Sequence, residues 1–120
     1  MSKKESFSPD LLRGSLDLMV LSVLADDPQY GYLIQQRLRE ASGGRMSVTA
    51  GTLYPILHRL EQDKLVKCRW ESTTGRRRKW YELTAAGRRQ LKQRAEQWYV
   101  YADCVRKLLE PAVTIIPQTT

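Results

Sequence analysis

A chain of 120 residues with 20 Lys and Arg against 13 Asp and Glu, net charge +7, is long enough for one domain around one modest core. No apolar run approaches membrane-spanning length, Cys68 and Cys104 lie far apart with no metal-ligand spacing, and nothing near Met1 reads as an export signal. The expectation is a cytoplasmic protein with reduced thiols, no metal, no cofactor and no membrane partner.

The positive charge is segregated. Between Arg45 and Arg94 there are 13 cations and 4 acids, net +9, whereas the remainder holds 7 and 9, net −2. Charge kept only for solubility would be dispersed, so the asymmetry points to a polyanion partner.

In chain order, residues 1–8 are polar and read as a loose tail, and Asp10, or Ser8 followed by Pro9, can start a helix. Leu12, Leu16, Met19, Val20, Val23 and Leu24 recur at helical spacing, and Leu11, Leu18 and Leu21 make a second apolar face. A helix apolar on two sides needs two partners. The "DDP" at Asp26 to Pro28 ends it, and a second helix over Gly31–Ala41 puts Tyr30, Ile34, Leu38 and Ala41 on one face before stopping at Gly43 and Gly44.

The next segment, "RMSVTAGTLYPILHRLEQDKL", places Leu53, Leu57 and Leu60 in a buried stripe, with Thr52, Tyr54, Pro55, His58, Arg59 and Gln62 off it. Inside a helix capped by Thr49, Pro55 would cost about 3 kcal/mol, so the expectation is a short turn around Thr49 and a helix from a Thr52 cap to near Asp63. Its entrance, rich in hydroxyls and free amides, suits an anion.

Leu65 to Glu71 alternates, with Val66, Cys68 and Trp70 opposite Lys67, Arg69 and Glu71. Lys79 to Thr84 alternates too, Tyr81 and Leu83 opposing Trp80 and Glu82, and Ser72 to Gly75 forms the turn, with Gly75 available for a positive φ. The result is a hairpin whose tip carries Gly75, Arg76, Arg77 and Arg78. Thr84 then caps a last helix over Ala85–Glu110, ended by Pro111, in which Leu91, Ala95, Trp98, Ala102, Val105 and Leu109 keep the heptad rhythm of a coiled-coil seam. Such a helix is a rod of about 39 Å, longer than a small domain needs for its own core, and the surplus implies a second chain. The layout is a DNA-binding unit over residues 9–84, a dimerisation helix over 85–111, and tails at 1–8 and 112–120.

Three short helices, a β-hairpin and a further helix define a mainly α (α+β) winged helix-turn-helix with a long C-terminal dimerisation helix. Its third helix enters a major groove of double-stranded DNA and its hairpin grips the backbone. The candidate DNA contacts are Thr49, Thr52, Tyr54, Pro55, His58, Arg59, Gly75, Arg76, Arg77, Arg78 and Lys79. Each has a plainer reading: Thr52 is also an N-cap, Tyr54 also packs under the wing, and a basic run is more often a solvated turn. His58, the one histidine, has no carboxylate or cysteine at ligand spacing and reads as a surface side chain. Tyr30, Tyr32, Tyr81 and Leu83 read as core, and Trp70 and Trp80 as hairpin packing or contacts to sugar. The candidate homodimer residues are Leu12, Leu16, Leu91, Ala95, Trp98, Ala102, Val105 and Leu109.

The sequence resembles the PadR family of transcriptional regulators. The resemblance is carried by "LRGSLDLMVLSVL" (Leu12 to Leu24), "YGYLI" (Tyr30 to Ile34), "TAGTLYPILHRLE" (Thr49 to Glu61) and "GRRRKWYELTAAGRRQL" (Gly75 to Leu91). It implies a winged-helix homodimer held by the C-terminal helix, repression of nearby genes, and release from DNA by a small aromatic effector. The single C-terminal helix resembles the short subfamily, whose drug-binding members carry a tryptophan near the dimer centre. Trp98 falls at a similar place and is the candidate effector contact, although seam core is the default reading for an aromatic at heptad spacing. From another functional class, a winged-helix module docking an acidic protein would show the same charge; preference for one promoter over competitor DNA separates the two. An enzyme is disfavoured, since histidine–acid or cysteine–histidine pairs and phosphate-binding glycine loops are missing.

Overall fold

The structure is a computed structural model that describes Phe7, Leu12, residues 14–73 and residues 75–115. The helix start expected at Ser8 to Asp10 lies outside the described residues. Helix α1 spans Leu16–Val23, strand β1 Gln29–Tyr30, helix α2 Gly31–Ala41, helix α3 Ala50–Gln62, strand β2 Val66–Thr73, strand β3 Arg76–Leu83 and helix α4 Ala85–Ile115. The three strands form one antiparallel sheet in the order β1-β3-β2.

The first helix does not run unbroken from Leu12. Gly14 adopts φ +89°, a left-handed conformation that helical residues do not take, and α1 begins after Ser15. Leu12 and Leu16 pack against the chain's own core. Helix α2 has the expected span and ends as a Schellman turn: the Gly44 amide donates to the Arg39 carbonyl at 2.8 Å and the Gly43 amide to Glu40 at 3.1 Å. Ile34 and Leu38 are buried, but Ala41 is exposed and does not extend their face.

Helix α3 corrects the reading of Pro55. Thr49, not Thr52, is the N-cap; the Thr52 and Leu53 amides already donate to the Thr49 carbonyl at 3.1 and 2.9 Å, and Pro55 is the sixth residue of a continuous helix. Pro55 has no amide to offer the Gly51 carbonyl, which stands at the exposed helix entrance. The proline penalty of about 3 kcal/mol is outweighed because Leu53, Ile56, Leu57 and Leu60 are all buried by this helix, each contributing about 1.5–3 kcal/mol.

Two further boundaries move for similar reasons. The cationic run is strand, not tip: β3 starts at Arg76, Thr73 pairs with Arg76, and Gly75 just before β3 takes φ +78°. Thr74 lies outside the described residues. Pro111 falls inside α4, which continues to Ile115. Thr84 does cap α4, its hydroxyl accepting from the Gly87 amide at 2.9 Å.

Tyr81 and Leu83 lie in the core with Val66, whereas Tyr30 is half-buried and Tyr32 is an exposed surface residue at 64%. The core sits between α1, α2, α3 and the inner sheet face, and α4 leaves it after Leu91. The resulting molecule measures 60 × 36 × 21 Å, elongated along the helix that departs.

Candidate nucleic-acid interface

On a helix of 3.6 residues per turn, the buried stripe of α3 leaves Gly51, Pro55, His58 and Gln62 on the opposite face, and all four are exposed. The flanks are engaged. On one side Arg59 reaches α1; on the other Tyr54 and Glu61 face the wing and the start of α2. Thr49 and Thr52 are exposed at the helix entrance, the Thr49 hydroxyl donating to that of Thr52 at 3.3 Å.

Tyr54 is held by the shape of its neighbour. A Cβ on Gly31 would overlap the Tyr54 phenol, so the ring lies against the backbone at the first residue of α2. From there a cleft of about 870 Å³ opens toward the hairpin, lined by Tyr32, Tyr54, Trp70, Tyr81 and the run Arg76 to Lys79.

The register explains the hairpin's two characters. Val66, Cys68 and Trp70 share a face with Leu83, Tyr81 and Lys79, but the hairpin outruns the core. Val66 is buried, Cys68 half-buried, and Trp70 is 56% exposed. Beyond the core edge, aromatic rings orient the cations: the Arg77 guanidinium lies 4.6 Å from the Trp70 ring centre and that of Arg78 lies 4.5 Å from Tyr30. Stacks of this kind contribute about 0.5–1 kcal/mol each at exposed sites and hold a flexible arginine extended. Trp80 sits edge-on to Tyr30, centroids 5.1 Å apart, and packs on the outer sheet face; Trp70 does not pack into the core.

Two of the expected contacts are committed inside the chain. The Arg59 Nη2 donates to both carboxylate oxygens of Asp17, at 2.8 and 2.7 Å, and this acceptor raises the Arg59 pKa above its ordinary value. Lys79 Nζ lies 3.5 Å from the Glu61 carboxylate and 5.5 Å from the Tyr81 ring centre. Beside it, burial first and donation to Glu61 second push the Cys68 thiol up to about 11, and burial takes the Tyr81 phenol to about 12.

Of the candidate dimer residues, Leu12, Leu16 and Leu91 lean on the chain's own core, Ala95, Ala102 and Val105 are half-buried, and Trp98 and Leu109 are exposed. Tyr101 and Leu108, exposed and close beside that stripe on the helical wheel, fall outside the strict heptad spacing; a wider apolar arc was the available signal. Trp70, read from the sequence as hairpin packing or a contact to sugar, lines the cleft; strand alternation does not mark where a core ends. Among the described residues no cluster of His, Cys, Asp and Glu could hold a metal ion, and no helix is long and apolar enough to cross a membrane.

The family model of the transcriptional regulator PadR-like family matches residues 20–93. The chain belongs to that family. PadR-family proteins are transcriptional regulators, not enzymes, and the winged helix with a long terminal helix is their architecture. Transcriptional regulator Rv3488 of Mycobacterium tuberculosis is 40% identical over 76 residues, covering 63% of this chain and 68% of that protein. Among solved structures, a transcriptional regulator from Clostridium thermocellum superposes with a TM-score of 0.80 at 30% identity, covering 87% of this chain and 99% of that one. A PadR family regulator from Eggerthella lenta superposes at 0.76 and 39% identity, covering 84% and 87%.

Proposed function

We propose that this PadR-family chain is a cytoplasmic repressor that binds a pseudo-palindromic operator in double-stranded DNA as a homodimer. Each protomer presents the outer face of α3, with Pro55 and His58, to a major groove, while Arg76, Arg77 and Arg78 meet phosphates alongside. The observation that carries this reading is the single cleft bordered by Tyr54 of α3 on one side and by the arginine-bearing strand β3 on the other. A rod half apolar and unpartnered in one chain, from Ala95 to Leu109, supports pairing through α4. Trp98, 44% exposed within that stripe, is the contact proposed for a small aromatic effector; fluorescence quenching by planar compounds that persists after Trp98→Phe would remove it from that role.

The test is the salt dependence of operator binding. Replacing Arg76, Arg77 and Arg78 together by Gln should flatten the log–log slope by up to about 0.9 for each phosphate that is no longer neutralised. An unaltered slope would place the wing away from the backbone. Equal binding of promoter and competitor DNA by the native protein would favour instead a module that docks an acidic protein.

A further inference from the structure

Arg59 stands in the last turn of α3 and Asp17 in the first turn of α1, so each charge complements the partial charge of its own helix end while pairing with the other. Both carboxylate oxygens accept from the same guanidinium nitrogen, at 2.8 and 2.7 Å. Gly51, Pro55, His58 and Gln62 point away from the leucine stripe; Arg59 points sideways, toward α1. On the opposite flank Glu61 holds Lys79 of the wing at 3.5 Å. Helix α3 is therefore braced on both sides by ion pairs too exposed to add much to overall stability. Their effect is on direction. With side-chain tips about 5–6 Å from the helix axis, a rotation of about 10° moves a base-contacting atom by about 1 Å, as much as separates a good hydrogen bond from none.

The geometry points to Arg59 as a positioning residue for operator recognition, not a reader of bases: paired with Asp17, it fixes the rotation of α3 and so the aim of His58 and its neighbours. This inference rests on the DNA-binding reading above. A composition-based view counts Arg59 among the phosphate or base contacts; the structure gives its charge to Asp17.

The experiment measures binding to a fragment that the native protein selects from genomic DNA, in competition with random duplex. Arg59→Glu should lose about tenfold in preference, and Asp17→Arg should lose a similar factor although it makes the protein more positive. Combining Asp17→Arg with Arg59→Glu re-forms the pair with its polarity reversed and should recover binding to within about threefold, with the native salt slope. The milder Asp17→Asn should move preference in the same direction as Asp17→Arg, and thermal unfolding of each variant confirms that it is folded. Tighter binding by Asp17→Arg, or a double variant as weak as Arg59→Glu alone, would overturn the proposal, because a carboxylate at position 59 would then be facing phosphates. Native protein that prefers no fragment would overturn the DNA-binding reading and this inference with it, which the charge-swap failure alone would not do.

Discussion

Cys68 and Cys104 carry the same thiol in opposite settings. Cys68 is half-buried on β2, where burial pushes its thiol up to about 11, whereas Cys104 is exposed on α4. Since only the thiolate is nucleophilic, alkylation with iodoacetamide at pH 8 should label Cys104 first, with Cys68 slower by on the order of a hundredfold. Cys68 is protonated through the neutral range, so its rate should rise about tenfold per pH unit until the pH nears its pKa. Peptide mapping of the alkylated protein reads both rates, and equal labelling at pH 8 would contradict the burial that holds the Cys68 thiol protonated. Neighbouring side chains show what a residue-level reading of sequence reaches. Tyr81 and Leu83 were legible as core because alternation is local and the neighbouring strand repeats it. Tyr32 was not, since nothing within "YGYLI" says which tyrosine faces the helix packing and which the solvent.

At the scale of elements, the turn out of α3 is closed by a non-glycine in the left-handed region. Lys64 has φ +61°, its amide donates to Glu61 at 3.0 Å, and the Leu65 amide reaches back to Leu60 at 3.0 Å. A lysine there carries a steric penalty of about 1–2 kcal/mol that glycine avoids. Lys64→Gly should therefore stabilise the domain by about 0.5–1 kcal/mol once the added freedom of the unfolded chain is subtracted, seen as a higher urea midpoint at unchanged slope. The order of the helices and the hairpin, the hairpin faces and the extent of α2 were readable from periodicity and punctuation, whereas β1, only two residues long, was too short to show alternation and was missed. The misplaced boundaries share one cause. Pro55, Pro111 and the arginine run were judged by local propensity, and in each case the longer element prevailed: burial of four apolar side chains carries α3 through its proline, and cross-strand pairing from Val66–Leu83 out to Thr73–Arg76 extends β3 through its cations.

For the molecule as a whole, the exposed apolar residues concentrate where α4 has left the core. Leu108 is 77% exposed, and Trp98, Tyr99, Val100, Tyr101, Leu109 and Val113 are exposed with it. An unpaired surface of this kind is unfavourable in water, and pairing with a second copy removes it. Sedimentation should therefore find two chains, and replacing Val105 and Leu109 together by Asp should release single chains that hold operator DNA at least about tenfold more weakly, since linked half-sites reinforce one another. A native protein that sediments as one chain would end this account of α4. The apolar stripe of α4 was legible as a heptad rhythm, but the width of its exposed apolar arc was not, because Tyr101 and Leu108 sit outside the strict repeat.

Thr84 sits where these scales meet. Its hydroxyl donates to the Lys64 carbonyl at 2.7 Å and accepts from Gly87, its amide donates to Leu65 at 3.1 Å, and a methyl group on Gly87 would strike that same Leu65 carbonyl. Arg88, one residue on, ties α4 to the Ala25 carbonyl behind α1 at 2.9 Å. The near end of α4 is thus fastened to the turn that leaves α3 through the Lys64 and Leu65 carbonyls. In the dimer proposed above, any molecule that splays or twists the two rods would turn both copies of α3 with them, over a distance no single side chain could span.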